Sequence, residues 1–137
     1  MYTDCFNEFL SSKDTLQVYK GNHLIFSSTK DRLLPLIDYI DRFAPCQQRV
    51  VIFDKIMGNA AALLSVIAGC EETYSPLGSQ LAIDTLDKYG IKHHISKIVP
   101  YIQRQDEKAM CPMEELSMDK EPEQFHEALR NIIKQGT

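Results

Sequence analysis

The chain has 137 residues, 44% of them hydrophobic and 25% charged, which is the composition of one ordinary globular domain with enough apolar mass for its own core. A formal net charge of −4 argues against a nucleic-acid partner, which calls for a basic face. No window holds the roughly 18 apolar residues of a membrane span. The opening stretch MYTDCFNEFLSSKD does not read as a signal peptide, so a cytoplasmic address is expected.

That opening stretch places Tyr2, Cys5, Phe6, Phe9 and Leu10 at helical spacing, and a short helix is expected there. TLQVYKGNHLIFSST reads as a hairpin turning at Gly21-Asn22. RLLPLIDYIDRFAP puts Leu33, Leu36, Ile37 and Ile40 on one helical face and ends at Pro45. RVVIFD is a short continuous apolar run, the pattern of a strand covered on both faces. A helix follows from about Gly58 to Ala68, stopped by Gly69. CEETYSP reads as a strand, and GSQLAIDTLDKYG as a helix capped by Ser79 and closed by Gly90. IKHHISKIVPYI is a strand ended by Pro100, and RQDEKAMCPMEELSMD a polar loop leading into a helical turn. EPEQFHEALRNIIKQ closes the chain as a helix with Pro122 in its first turn. Strands alternating with helices predict a single α/β domain over residues 1–137, with a mixed sheet, parallel in its later part, and helices on both sides.

In such a sheet the ligand crevice lies at the carboxyl ends of the strands. Three strand ends carry polar or small residues: Asp54-Lys55 with Gly58-Asn59, Ser75 with Gly78-Ser79, and the loop containing Cys111 and Glu114. Gly58 at a helix start allows close approach of an anionic group to unpaired N–H donors. Lys55 would add a point charge, and Asp54 would orient it or act as a base. The plain alternative makes Asp54 a helix cap and Lys55 a solvated side chain. The segment is neither a Walker A sequence, lacking Gly-Lys-Ser/Thr, nor a dinucleotide fingerprint, lacking the second glycine. Asn59 and Ala60 to Ala62 suit tight helix packing. Cys111 near a helix start reads either as an activated thiol or as a buried, inert one. Tyr101 and Arg104 follow the last strand and are weaker ligand contacts, as is His94.

Cys5, Cys46, Cys70 and Cys111 form no C-x-x-C pair, and four histidines (His23, His93, His94, His126) fall into no metal-ligand spacing. His93 and His94 are neighbours on a strand and point to opposite faces. No metal and no cofactor is expected.

FDKIMGNAAALL, GIKHHISKIVPYI and MCPMEEL, in this order and spacing, resemble an uncharacterised bacterial family of small domains with the cytidine-deaminase-like fold. The resemblance runs from the hairpin at Leu16 to the final helix. It implies a three-layer αβα sandwich in which the hairpin leads a mixed five-stranded sheet. It also implies a parent zinc chemistry, held by a His/Cys-x-Glu segment and a Pro-Cys-x-x-Cys segment at two helix starts. Here those starts read DKIMGNAAA and SPLGSQ, and Cys111-Pro112 has no second cysteine. The resemblance therefore leads to a zinc-independent enzyme acting on a nucleotide-like or other small polar molecule. Its catalytic set would be Asp54, Lys55, Cys111 and Glu114, with Gly58, Asn59, Ser75, Gly78 and Ser79 binding the ligand. The alternative is a non-catalytic module sensing a nucleotide or metabolite. A homodimer through helix faces is a further expectation.

Overall fold

The computed structural model describes residues 2–46, 48–103 and 110–135, with side chains as far as residue 133. Helix α1 (Thr3–Ser11) precedes the hairpin β1 (Leu16–Lys20) and β2 (His23–Ser28), and α2 (Leu34–Phe43) follows. Then come β3 (Val50–Asp54), β4 (Ile56–Met57), α3 (Asn59–Ile67), β5 (Cys70–Ser79), α4 (Gln80–Lys88) and β6 (Lys92–Val99). Two helices, α5 (Pro112–Ser117) and α6 (Pro122–Gln135), end the described chain. Gly21 and Asn22 both hold positive φ, 55° and 70°, as a two-residue hairpin turn requires.

β1 pairs antiparallel with β2 and β3, and β5 pairs parallel with β3, β4 and β6. The mixed sheet, parallel in its later part, is as the alternation of elements foretells. The count of five strands is corrected to six. After Asp54 the chain leaves the ladder for one residue and resumes on β5 as β4, pairing Ile56 with Leu77 and Met57 with Gly78. β6 occupies one edge of β5 from Glu72 to Ser79, so β3 and β4 follow one another along the other. Two residues are too few to carry a strand pattern, which hides β4 in the sequence. β5 also runs three residues beyond the expected Pro76. That proline has no N–H to give, and it falls between the pairs Phe53–Tyr74 and Ile56–Leu77, where none is needed.

Alternation along β3 divides the core. Val50 and Ile52 join Leu16 and Val18 in the main cluster, packed with Leu36, Tyr39 and Ile40 of α2, Leu64 of α3, Leu86 of α4 and Phe125 of α6. Val51 and Phe53 point the other way, into a cluster with Phe9, Phe6, Tyr2, Tyr19 and Tyr74 under α1. Phe53 is the hub there, with ring centroids 5.1 Å from Tyr19, 5.4 Å from Tyr74 and 5.5 Å from Phe6. α3 is buried from Asn59 through Ser65, because Ala60, Ala61 and Ala62 let neighbouring helices close in.

Gly78 marks the tightest crossing of the sheet. A Cβ there would stand 2.8 Å from Ile95 Cδ1 and 3.1 Å from the Met57 carbonyl oxygen. The isoleucine methyl can rotate away, but the backbone carbonyl cannot. Gly78→Ala is therefore expected to destabilise the protein by about 2 kcal/mol in urea unfolding. An unchanged midpoint would show that β4 moves freely.

Candidate functional site

The site grows from the place where β3 stops. Phe53 turns its ring to the α1 side, so Asp54 projects to the opposite face, into the main core. The residue is 8% exposed. One carboxyl oxygen accepts the Ile56 N–H at 3.3 Å, a local turn rather than a cap on α3. Burial pushes its pKa up to about 7, while backbone N–H bonds from Ile56 and Lys55 pull the other way. No cation pairs with it among the described residues.

Lys55 goes to the other side of the sheet. Its ammonium donates to the Ser12 carbonyl at 3.0 Å and lies 4.7 Å from the centroid of the Phe9 ring. The acid and base adjacent in sequence are thus separated by the sheet, and form no ion pair with each other.

Gly58 is the N-cap of α3 and has no side chain to offer the helix. The cap arrives from 55 residues downstream. Glu114, 2% exposed, accepts the Asn59 N–H at 2.5 Å on one carboxyl oxygen and the Ile102 N–H at 2.8 Å on the other. A carboxylate is the natural occupant of a helix N-terminus, where unpaired N–H groups and the dipole both favour negative charge. A Cβ on Gly58 would meet Glu114 Oε1 at 3.1 Å and Ile102 Cγ1 at 2.9 Å. Of the N–H donors that the helix start offers to an external anion, that of Asn59 is engaged by the protein's own carboxylate.

Asn59 is equally committed. Its amide donates to Ser117 Oγ at 3.0 Å and to the Ser117 carbonyl at 3.3 Å, and its oxygen accepts the Thr85 hydroxyl. Ser117 Oγ in turn donates to the Glu114 carbonyl at 2.6 Å. This buried knot ties the start of α3 to α4 and α5, and neither Thr85 nor Ser117 stands out in the sequence. Cys111 is held through its backbone: its N–H donates to the Ile102 carbonyl at 2.8 Å, and its carbonyl accepts Glu115 N–H at 3.0 Å. Its partly buried thiol makes no hydrogen bond among the described residues and touches neither Asp54 nor Lys55 through one.

On β5, Ser79 Oγ accepts the Ala82 N–H at 3.1 Å and caps α4, as its position before the helix foretells. Ser75 is fully buried, and its hydroxyl has no hydrogen-bond partner among the described residues. Ser75 follows Tyr74 as Asp54 follows Phe53, and Phe53 and Tyr74 are a register pair. Asp54 and Ser75 therefore stand at one level of the sheet. Arg104 lies outside the described residues, as do residues 105–109. His93 and His94 take opposite faces: His93 Nε2 is 2.9 Å from Asp87 on α4, and His94 Nε2 is 2.7 Å from Glu72. Among the described residues no three His, Cys, Asp or Glu side chains gather as a metal centre. Cys70 is a core residue whose thiol burial pushes up to about 12.

The fold has counterparts. A family model described as a domain of unknown function, DUF1893, matches residues 6–133. Among solved structures, a DUF1893 family protein (TM1506) from Thermotoga maritima superposes with a TM-score of 0.83 at 24% identity, over 93% of this chain and 86% of that one. No curated protein matches the chain. With the family model spanning nearly every element from α1 to α6, the chain belongs to the DUF1893 family of domains of unknown function.

Proposed function

We propose that this domain is a zinc-independent member of the cytidine-deaminase-like superfamily, a three-layer αβα sandwich acting on a nucleotide-like or other small polar molecule. The observation that carries the reading is Asp54. A buried carboxyl with no cation beside it, titrating near neutrality at the carboxyl end of a parallel strand, suits an acid–base group. The unpartnered Ser75 hydroxyl at the same level of the sheet supplies a second polar group for a ligand. Cys111 would be the nucleophile in a group transfer or hydrolysis, and Glu114 would position its segment against α3, while Lys55, on the far side of the sheet, stands outside this site. The zinc of the parent chemistry does not fit: the starts of α3 and α4 offer Asn59 and Ser79, whose side chains are already bonded within the fold, and no step is routed through a metal.

One observation favours a second reading. Cys111 is a free thiol with no hydrogen-bond partner among the described residues to activate it, and a non-catalytic module that senses a nucleotide or metabolite needs no reactive thiol. Iodoacetamide labelling mapped by mass spectrometry separates the two. The enzyme reading expects Cys111 to label faster than Cys5, Cys46 and Cys70. Equal rates, combined with a ligand-induced thermal shift that survives Cys111→Ala and is lost in Asp54→Asn, leave the sensor. No thermal shift with any nucleotide or polar metabolite removes both.

A further inference from the structure

We infer that the trough between the start of α1 and the β5–β6 pair binds a planar, uncharged heteroaromatic ring, stacked on the outer face of His94. The trough has a volume of about 310 Å³ and is lined by Thr3, Phe6, Tyr74, His94, Ile95 and Ser96. It stands apart from Asp54 and Ser75, which project to the other face, and does not depend on the reading given to them.

Its floor is a preassembled stack. The Tyr74 and His94 rings lie 4.2 Å apart with planes inclined by 16°, and Phe6 closes the α1 side with its centroid 5.5 Å from Tyr74. One carboxylate fixes both rings: Glu72 Oε2 accepts the Tyr74 hydroxyl at 3.2 Å and meets His94 Nε2 at 2.7 Å. Glu72 is only 18% exposed in its side chain, and Lys92 stands 4.0 Å from the same oxygen. The rings therefore cannot turn freely, and a ligand ring meets a platform whose ordering cost is already met. One face of His94 is covered by Tyr74, while its side chain is 40% exposed, leaving the other face for a third ring.

The chemistry of the lining selects the ligand. A flat ring extends the stack, whereas a saturated one loses the π contact. Glu72 and Lys92 are already engaged with each other, and the other wall residues offer hydroxyls and apolar surface, so neither a phosphate nor an ammonium finds an unpaired counter-charge. Thr3 and Ser96 place hydroxyls at the rim for the polar edge of a heterocycle. The volume sits at the small end of ligand pockets and suits one ring system.

The test uses purine as the probe and cyclohexanol as a saturated control, followed by NMR of the ring protons of His94, Tyr74 and Phe6 in the full chain, the last two serving as the readout in the His94 variants. Purine is expected to move the His94 signals upfield in a saturable way, with a dissociation constant on the order of 1 mM. His94→Ala should weaken it by about tenfold, within the range of one lost stacking partner. His94→Phe should keep it within about twofold, because the platform remains. His94 is exposed at the edge strand β6, so both variants are expected to fold, and the purine titration of the unmodified chain is decisive without them. Purine that leaves the His94 signals unmoved, His94→Ala that binds as well, or cyclohexanol that binds equally would each overturn the inference.

Discussion

Asp54→Asn is expected to make the protein more stable above pH 7 and to leave its stability unchanged in acid. The folded-state pKa of Asp54 is raised from 3.8 to about 7 by burial. Between those values the folded protein keeps a proton that the unfolded chain releases. Stability is therefore full below the unfolded value, falls as pH rises through the window, and stays low above the folded value. At about 1.36 kcal/mol per unit, a shift of this size costs on the order of 4 kcal/mol at pH 8, as an upper bound. Asparagine keeps an oxygen to accept the Ile56 N–H and carries no charge at any pH, so its stability is flat across the window. Urea unfolding at about pH 3.5, below the window, and at about pH 8, above it, checks this. A variant less stable than the parent at pH 8, or a difference that ignores pH, would remove Asp54 from the buried, cation-free setting described. If Asp54 has the proposed acid–base role, the same substitution should also abolish any ligand-dependent thermal shift.

Most of the architecture is legible in the sequence because it rests on local rules. Gly21-Asn22 names its own turn, Ser79 its own helix start, and the apolar run at Val50 its own buried strand. The site is less legible, for two physical reasons. Strand alternation separates His93 from His94, and it separates Asp54 from Lys55 as well. Reading the strand as ended at Asp54 treats Lys55 as loop, where direction is undefined, whereas the chain stays extended long enough to send the ammonium under α1. The second reason is distance along the chain. Nothing near Gly58 announces Glu114, yet a helix that opens on a glycine leaves its first N–H groups without a partner of its own. That deficit is visible at Gly58, and counting it would have called for an acceptor from elsewhere. The identity of the acceptor, from MCPMEEL 55 residues on, is settled only by tertiary packing.

The second large effect follows from that acceptor. Glu114→Ala is expected to lower stability by about 3 kcal/mol, because it strands the buried Asn59 and part-buried Ile102 N–H groups together and removes a charge-assisted pair of bonds. Glu114→Gln tests the geometry. Its oxygen can accept one N–H, but its amide nitrogen must face the other, donor against donor, so it recovers only part of the loss. Serine or aspartate at Gly58 offers no rescue, since any Cβ there enters the space that Ile102 fills at 2.9 Å. The readouts are the urea midpoint and amide exchange at Asn59 and Ile102, both of which should quicken in Glu114→Ala well before the central β3 amides do. Cys111 follows, because its backbone is fixed through Ile102 and Glu115 on either side of the lost contact; its alkylation should rise while that of Cys70 in the core stays slow. If Glu114→Ala unfolds at the parent midpoint with unchanged exchange at Asn59, the α3 amides are satisfied by something other than this carboxylate.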